Sequence, residues 1–284
     1  MPAKISEMIN RHQYPGVLYK SPAALKIYHF LNNIVTLRNW YVKNRITKLL
    51  KVLPAPFHMY DAGCGSGDML LPYAGKYKES LFTGTDKIAD NVELCQAFTR
   101  QSALTNCHFT AGNIEAYITE QPVDLLTCIT VLQYCENDLQ ALNCFYKSLK
   151  PNGILLLYVP VNYKRVFKWF NKLRAVKNKN VDYDSQMGIY HHYTISEISD
   201  KLKDAGFIIK KTITAYKTSG KIAFELFSSF LTIVKILPSF AGFIIFPVFA
   251  IIYPIMLLFM IFDLFERKRE GNGVLLIAAK HETI

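Results

Sequence analysis

Asp61-Ala62-Gly63-Cys64-Gly65-Ser66-Gly67-Asp68, directly after Phe57-His58-Met59-Tyr60, is the stretch that decides how this chain reads. An apolar strand ends in an acid, and glycines at alternate positions then form a turn whose backbone can press against a ligand. The helix-like segment behind it (Met69, Leu70, Leu71, Tyr73) offers free backbone N–H groups at its start, a setting for a nucleotide-like cofactor. The dinucleotide fingerprint G-x-G-x-x-G fails, because the position three after Gly65 is Asp68. A phosphate loop ending in Gly-Lys-Ser/Thr is absent as well.

Outward from this turn, strand and helix patterns alternate, the sign of a parallel sheet covered on both faces. The pattern predicts strands at 57–62, 81–85, 106–111, 123–129, 153–159 and 207–216, and helices at 67–76, 89–102, 137–149 and 194–205. Thr194-Ile195-Ser196-Glu197 is a capping box, and Gly206 stops that helix. Leu139, Leu142, Phe145 and Leu149 line one helix face before the turn at Pro151-Asn152-Gly153. Ahead of the glycine turn, residues 1–56 read as helical and partly irregular. Trp40, Ile46, Leu49, Leu50 and Leu53 recur at helical spacing among basic residues.

The chain of 284 residues suffices for one large domain with a substantial insertion. Its six cysteines stand singly, without a C-x-x-C pair, which predicts reduced thiols in the cytosol and no zinc site. The opening Met1-Pro2-Ala3-Lys4 has no apolar core of signal-peptide length, so secretion is not expected. A net charge of +11 accompanies a positive mean hydropathy of +0.13. The charge asks for a polyanion, either nucleic acid or an anionic membrane surface.

The pattern D-x-G-x-G-x-G resembles motif I of the class I S-adenosylmethionine-dependent methyltransferases, in the group that contains the ubiquinone and menaquinone enzymes. The resemblance runs from about residue 40 to 216 and resumes at the C-terminus. It implies a Rossmann-like α/β fold, with a seven-stranded, mostly parallel sheet, helices on both faces and an antiparallel last strand. It also implies S-adenosyl-L-methionine as cofactor, bound at Asp61, Gly63, Cys64, Gly65, Gly67, Asp86, Asn113, Ile114 and Thr130. Asp86 ends the second strand, 19 residues beyond Gly67, where it matches the acid that accepts both ribose hydroxyls. Asp61 organises the loop or meets the sulfonium end through water. Asn113 stands where the family usually has Asp against the adenine amino group, and its carbonyl oxygen can accept the same bond. Ile114 reads equally as an adenine contact or as core. Residues 129–134 border the methionine moiety and the methyl group.

Methyl transfer is an in-line displacement on an activated carbon, so the protein aligns a nucleophile and excludes water. A phenol or enol acceptor gains from a general base. His191 and His192, in Tyr190-His191-His192-Tyr193, are the candidates, because this region can line the acceptor pocket in similar enzymes. Two surface histidines in a loop fit the pattern equally well. No metal site is read.

One segment exceeds what a soluble enzyme of this kind needs. Residues 222–236 are apolar on one side, with Lys221, Glu225, Ser228, Ser229, Thr232 and Lys235 at helical spacing. The 27 residues Ile236 to Phe262 carry no charge, are broken by Pro238, Pro247 and Pro254, and lead to Arg267-Lys268-Arg269. Length permits one membrane span. A single crossing, however, would separate the sixth strand from the last, Gly273-Val274-Leu275-Leu276-Ile277-Ala278-Ala279. As a second crossing, 222–236 would reach only about 22 Å. The expectation is therefore a monotopic insertion, an in-plane helix plus a proline-bent apolar dip on the cytosolic face; helices packed on the enzyme or on a partner subunit are the plainer reading. From Tyr163 to Asn180 the chain has seven Lys/Arg, no acid and interleaved aromatics, a composition that suits anionic lipid or RNA.

The sequence thus predicts an N-terminal helical cap over 1–56, a methyltransferase domain over 57–220 and 271–284, and a membrane-associating insertion over 221–270. The acceptor is expected to be a small lipophilic molecule: a quinone precursor, a pigment or polyketide, or a lipid. Nucleic acid is not the expected partner, and the oligomeric state is left open. The rival readings are an RNA methyltransferase and a non-catalytic methyltransferase-like scaffold.

Overall fold

The computed structural model describes residues 14–161, 164, 166–167, 188–236 and 242–281. Among the described residues three helices come first: α1 (Gly16–Lys20), α2 (Pro22–Val35) and α3 (Leu37–Leu50). The Ser21 hydroxyl accepts the Ala24 N–H at the start of α2, and Pro22 takes the first helical position, where its missing N–H costs nothing. Strand and helix then alternate through β1 (His58–Ala62), α4 (Leu71–Ala74), β2 (Leu81–Asp86), α5 (Ala89–Gln101), β3 (Cys107–Ala111) and β4 (Val123–Ile129). After a short 3-10 turn at Leu132–Tyr134 follow α6 (Asp138–Ser148), β5 (Leu149–Pro160), α7 (Ile195–Asp204) and β6 (Phe207–Ala215). The chain ends with α8 (Thr218–Ile236), α9 (Gly242–Phe265) and β7 (Gly273–Lys280).

These strands form the predicted seven-stranded sheet, in the order β3-β2-β1-β4-β5-β7-β6. All pairs through β5 are parallel, and β7 lies antiparallel between β5 and β6. Both faces are covered. Leu25, Val42 and Ile46 of the cap pack with Phe82 and Phe98 on one side. Leu142, Phe145, Ile198 and Leu202 of α6 and α7 pack on the other. The predicted capping box is formed, with the Thr194 hydroxyl accepting the Glu197 N–H at 3.1 Å and the Glu197 carboxylate accepting the Thr194 N–H at 2.7 Å.

Three local expectations need correction. The helix predicted at 67–76 shrinks to Leu71–Ala74, because Gly67 takes φ +77° and the glycine turn uses the residues before it. The fifth strand begins at Leu149, not 153: Leu149 pairs with Val123, and the Pro151-Asn152-Gly153 turn becomes an irregularity within the strand. The apolar dip is not broken at its second and third prolines. Pro247 and Pro254 lie inside α9; each removes only one backbone hydrogen bond, and packing on α8 holds the rest.

Helices α8 and α9 form an antiparallel hairpin. Gly220 at the start of α8 meets Asp263 near the end of α9, and Phe227 and Phe230 meet Phe249 at ring distances of 6.3 and 4.7 Å. The hairpin also rests on the cap. Leu37 packs with Ala223 and Met260, the Tyr253 hydroxyl donates to the Ile34 carbonyl at 3.0 Å, and the Tyr41 hydroxyl donates to Asp263 Oδ2 at 2.8 Å. Among the described residues α9 is the one helix long and apolar enough to cross a membrane, over Pro247–Phe265, and 17 % of that stretch is buried. Most of the basic stretch 163–180 lies outside the described residues. At its start, the Val166 and Phe167 N–H groups donate to the buried Glu225 carboxylate of α8 at 2.7 and 2.8 Å.

Candidate cofactor site

The glycine turn lies at the carboxyl end of β1, beside β4, where the strand order reverses. Open parallel sheets build their ligand crevices at such a switch point. Gly63, Gly65 and Gly67 all have positive φ, at +80°, +52° and +77°, which a side chain would strain. Their surroundings separate their roles. A Cβ on Gly63 would lie 2.4 Å from the Val131 side chain and one on Gly67 2.8 Å from Leu71, but one on Gly65 would meet nothing within 4 Å. Gly63 and Gly67 are fixed by packing, and Gly65 faces open space.

Asp86 holds the turn from the tip of β2. Its Oδ2 accepts the Gly65 N–H at 2.8 Å and its Oδ1 the Ile88 N–H at 2.9 Å. Each oxygen has a further lone pair for a diol. The Gly63 and Cys64 N–H groups donate to the Thr85 carbonyl, so Cys64 enters through its backbone while its thiol is buried. Asp61 is 2 % exposed and accepts the Thr127 hydroxyl at 2.6 Å. Burial pushes its carboxyl up to about 7 against that hydrogen bond, with the charges of Asp86 and Asp68 adding to the rise.

Asn113 is exposed at the end of the third strand's turn, and its carbonyl oxygen accepts the Glu115 N–H at 3.1 Å. Ile114 is buried and packs in the core with Tyr60 and Ala62. Thr130 follows β4 with φ +58°, an unusual conformation for a β-branched residue and of the kind that collects at functional sites. Its hydroxyl accepts from Arg38 Nη1 at 2.8 Å and its carbonyl from Gln133 Nε2 at 3.0 Å. The other amide atom, Gln133 Oε1, is buried without a partner. An unpaired buried acceptor is costly, and this one fits a ligand that donates.

The candidate bases are anchored beside this region. The Tyr190 and His191 N–H groups both donate to the Gln133 carbonyl, at 2.9 and 3.2 Å. His191 Nδ1 lies 3.8 Å from Asp138 Oδ2, and its Nε2 lies 3.3 Å from the Glu136 carbonyl. Asp138 also receives Lys201 and the Tyr193 hydroxyl, at 2.8 and 2.9 Å. Burial raises its carboxyl, but these donors and His191 hold it below the usual range. His192 points to the exposed side of the same turn.

Sequence reasoning missed the cap's share. His29 of α2 lies 3.1 Å from both the carbonyl and the hydroxyl of Ser66. Asn39 and Lys43 of α3 donate to the two oxygens of Asp68, so Ser66 and Asp68, the two polar residues of the turn, are gripped from above. The available signal was polar residues on the inward stripe of an amphipathic helix, since His29 and Asn39 are buried.

The family signature described as "Methyltransferase domain" matches residues 57–212, more than half of the chain. The chain belongs to that family, and the sheet order with its antiparallel β7 gives it the class I fold, whose methyl donor is S-adenosylmethionine. Over 127 residues it is 24 % identical to the ubiquinone biosynthesis O-methyltransferase of Rickettsia akari (strain Hartford), covering 45 % of this chain and 49 % of that one. The (S)-coclaurine N-methyltransferase of Papaver somniferum is 26 % identical over 34 % of this chain and 28 % of its own length. The chain thus spans about half or less of the curated relatives it matches. A solved phosphoethanolamine N-methyltransferase 2 of Haemonchus contortus, in complex with S-adenosyl-L-methionine, superposes with a TM-score of 0.63 at 16 % identity, over 98 % of this chain and 60 % of that one.

Proposed function

We propose that this protein transfers the methyl group of S-adenosylmethionine to a small lipophilic acceptor drawn from a membrane surface, on its cytosolic side. The residues present fit the donor: an open face at Gly65, a carboxylate at Asp86 and an unpaired buried acceptor at Gln133 Oε1. In this reading Asp86 holds the ribose diol, Asn113 and Ile114 border the adenine, and Gly63, Cys64 and Gly67 shape the turn. Asp61, Thr130, Gln133 and Arg38 surround the methionine end. The bound cofactor supplies an electrophilic methyl carbon. The protein's own work is to seat it under α2 and α3, exclude water and align the acceptor.

His191 is the stronger candidate for a base, because Asp138 lies 3.8 Å from its Nδ1 and can orient the ring. His192 is the alternative. The three-part organisation follows the same reading: a cap through residue 56, a methyltransferase body, and an insertion over 221–270 that serves the acceptor.

The observation that carries the membrane reading is a ridge on α9. Val248, Ile251, Ile255, Leu258, Phe262 and Phe265 recur every three or four residues and are all exposed, while Met256, Met260 and Asp263 on the opposite side are buried. A helix with one packed face and one bare apolar face lies in an interface more naturally than across a bilayer. The curated relatives named above act on a quinone precursor and an alkaloid by their names, which supports a small acceptor. The test is methyl-tritiated S-adenosylmethionine with purified protein and, separately, total lipid extract and RNA from the source cells. Label in the organic phase, lost in Asp86→Ala, is the expected result. Label in RNA refutes the reading.

A further inference from the structure

At the foot of the hairpin an open groove of about 650 Å³ runs along the edge strand β6. Cations reach it from four separate parts of the chain: Arg45 from α3, Lys211 from β6, Lys217 from the turn before α8, and Arg267, Lys268 and Arg269 from the segment after α9. Lys217 is already engaged by the Tyr41 hydroxyl and the Asp263 carbonyl. The acid in its lining, Glu266, is already engaged by the Ser219 N–H at 3.1 Å and by Lys268 at 3.5 Å. The side chains of Arg45, Lys211, Arg267 and Arg269 make no ion pair or hydrogen bond among the described residues. Converging charges of one sign repel one another and raise the local concentration of counter-ions.

The groove begins where the apolar ridge ends. Phe262 and Phe265 are 60 % and 76 % exposed, and Arg267 follows within one helical turn. Apolar and cationic surfaces therefore abut, as an amphiphile with an anionic head requires. A single-stranded nucleic acid would be served by stacked aromatics, but the ridge continues upward as Leu258, Ile255, Ile251 and Val248, which have no ring face.

We propose that this groove is a binding site for the phosphate-bearing head of anionic membrane lipid, whose chains lie along the α9 ridge. The inference rests on the membrane reading above and adds a lipid preference to it. Arg45 ties the site to the cap: about two turns of α3 separate the groove from Arg38 at Thr130, so the headgroup layer, the cap and the donor crevice share one helix.

The test is flotation of the full chain with vesicles of phosphatidylcholine alone and of phosphatidylcholine with phosphatidylglycerol at about 3:1. The wild type and two variants, Arg267→Gln/Arg269→Gln and Arg45→Gln/Lys211→Gln, are compared, with calorimetric binding of S-adenosylhomocysteine as the control for folding. Wild type is expected to prefer the anionic vesicles by more than about tenfold and to lose the preference in high salt. Each variant should lose most of that preference, with binding to neutral vesicles and cofactor affinity unchanged. Equal wild-type binding to both vesicles, unaltered in the variants, overturns the groove and leaves the ridge standing. Binding to neither overturns both. Variant-sensitive binding to inorganic phosphate or RNA, without vesicle preference, overturns the proposal in favour of a soluble polyanion.

Discussion

Toward the glycine turn the N-terminal cap presents His29, Arg38, Asn39 and Lys43, each with a partner on Ser66, Asp68 or Thr130. On the other side of the same cap sits the hairpin, joined through Leu37, Tyr41 and Met260, with the bare ridge of α9 beyond it. One region is closed by paired polar groups, the other is left open as apolar surface. Polar pairing of this kind fixes a geometry, which a cofactor crevice needs, because a reacting carbon misplaced by an ångström loses most of its advantage. Apolar exposure fixes no geometry but favours any lipid-like neighbour, which suits the proposed membrane-borne acceptor. The two regions differ in what they demand of sequence: the first needs particular residues, the second only a hydrophobic stripe.

The largest expected effect separates them. Asp86→Ala removes both loop anchors and the proposed diol acceptor, so the affinity for S-adenosylhomocysteine should fall by about two to three orders of magnitude in calorimetry. Vesicle binding should stay as it was. The mirror experiment places charges on the ridge: Ile251→Glu/Ile255→Glu should weaken vesicle flotation by at least about a hundredfold, at roughly 1.5–3 kcal/mol for each apolar side chain withdrawn from lipid, and leave cofactor affinity intact. Loss of both properties in either variant would break the division.

Within the crevice the glycines give a finer contrast. Gly63→Ala forces a Cβ onto Val131 at positive φ and should destabilise the fold by about 2–4 kcal/mol, read as a lower melting temperature. Gly65→Ala meets no protein atom and should cost only about 1 kcal/mol of stability while obstructing the cofactor.

The smallest effect is titration of Asp61. Its folded pKa of about 7 lies above the ordinary carboxylate value, so the folded state holds the proton longer. That contribution to stability is complete in acid and is lost as pH rises from about 4 through 7. Asp61→Asn should therefore show a flatter stability profile from pH 5 to 8. A cationic sulfonium favours the ionised carboxylate, so the preference for S-adenosylmethionine over S-adenosylhomocysteine should grow a few-fold above pH 7 in the wild type, and not in the variant.

The sheet was legible because strand and helix patterns alternate along the chain, and the glycine turn because its spacing excludes other phosphate-binding loops. Asp86 was legible too, as an acid at a strand tip. The cap's grip was not. His29 and Asn39 look like the polar face of amphipathic helices, and only the packing turns them inward onto the glycine loop. Gln133 fell within the expected 129–134 border, but its unpaired Oε1 is a property of the fold around it. The prolines misled for the opposite reason: Pro247 and Pro254 are local breakers, and the contacts of α9 with α8 and the cap override them.

The most direct test of the whole account is a single-turnover measurement with labelled donor bound in advance and the source-cell lipid extract presented in vesicles. Wild type and Ile251→Glu/Ile255→Glu would be compared at equal donor occupancy. The account predicts rapid transfer to the vesicle lipid in the wild type and a transfer rate reduced at least tenfold in the variant, with donor affinity unchanged. Equal rates in the two proteins, or no transfer from a fully loaded wild type, would contradict it.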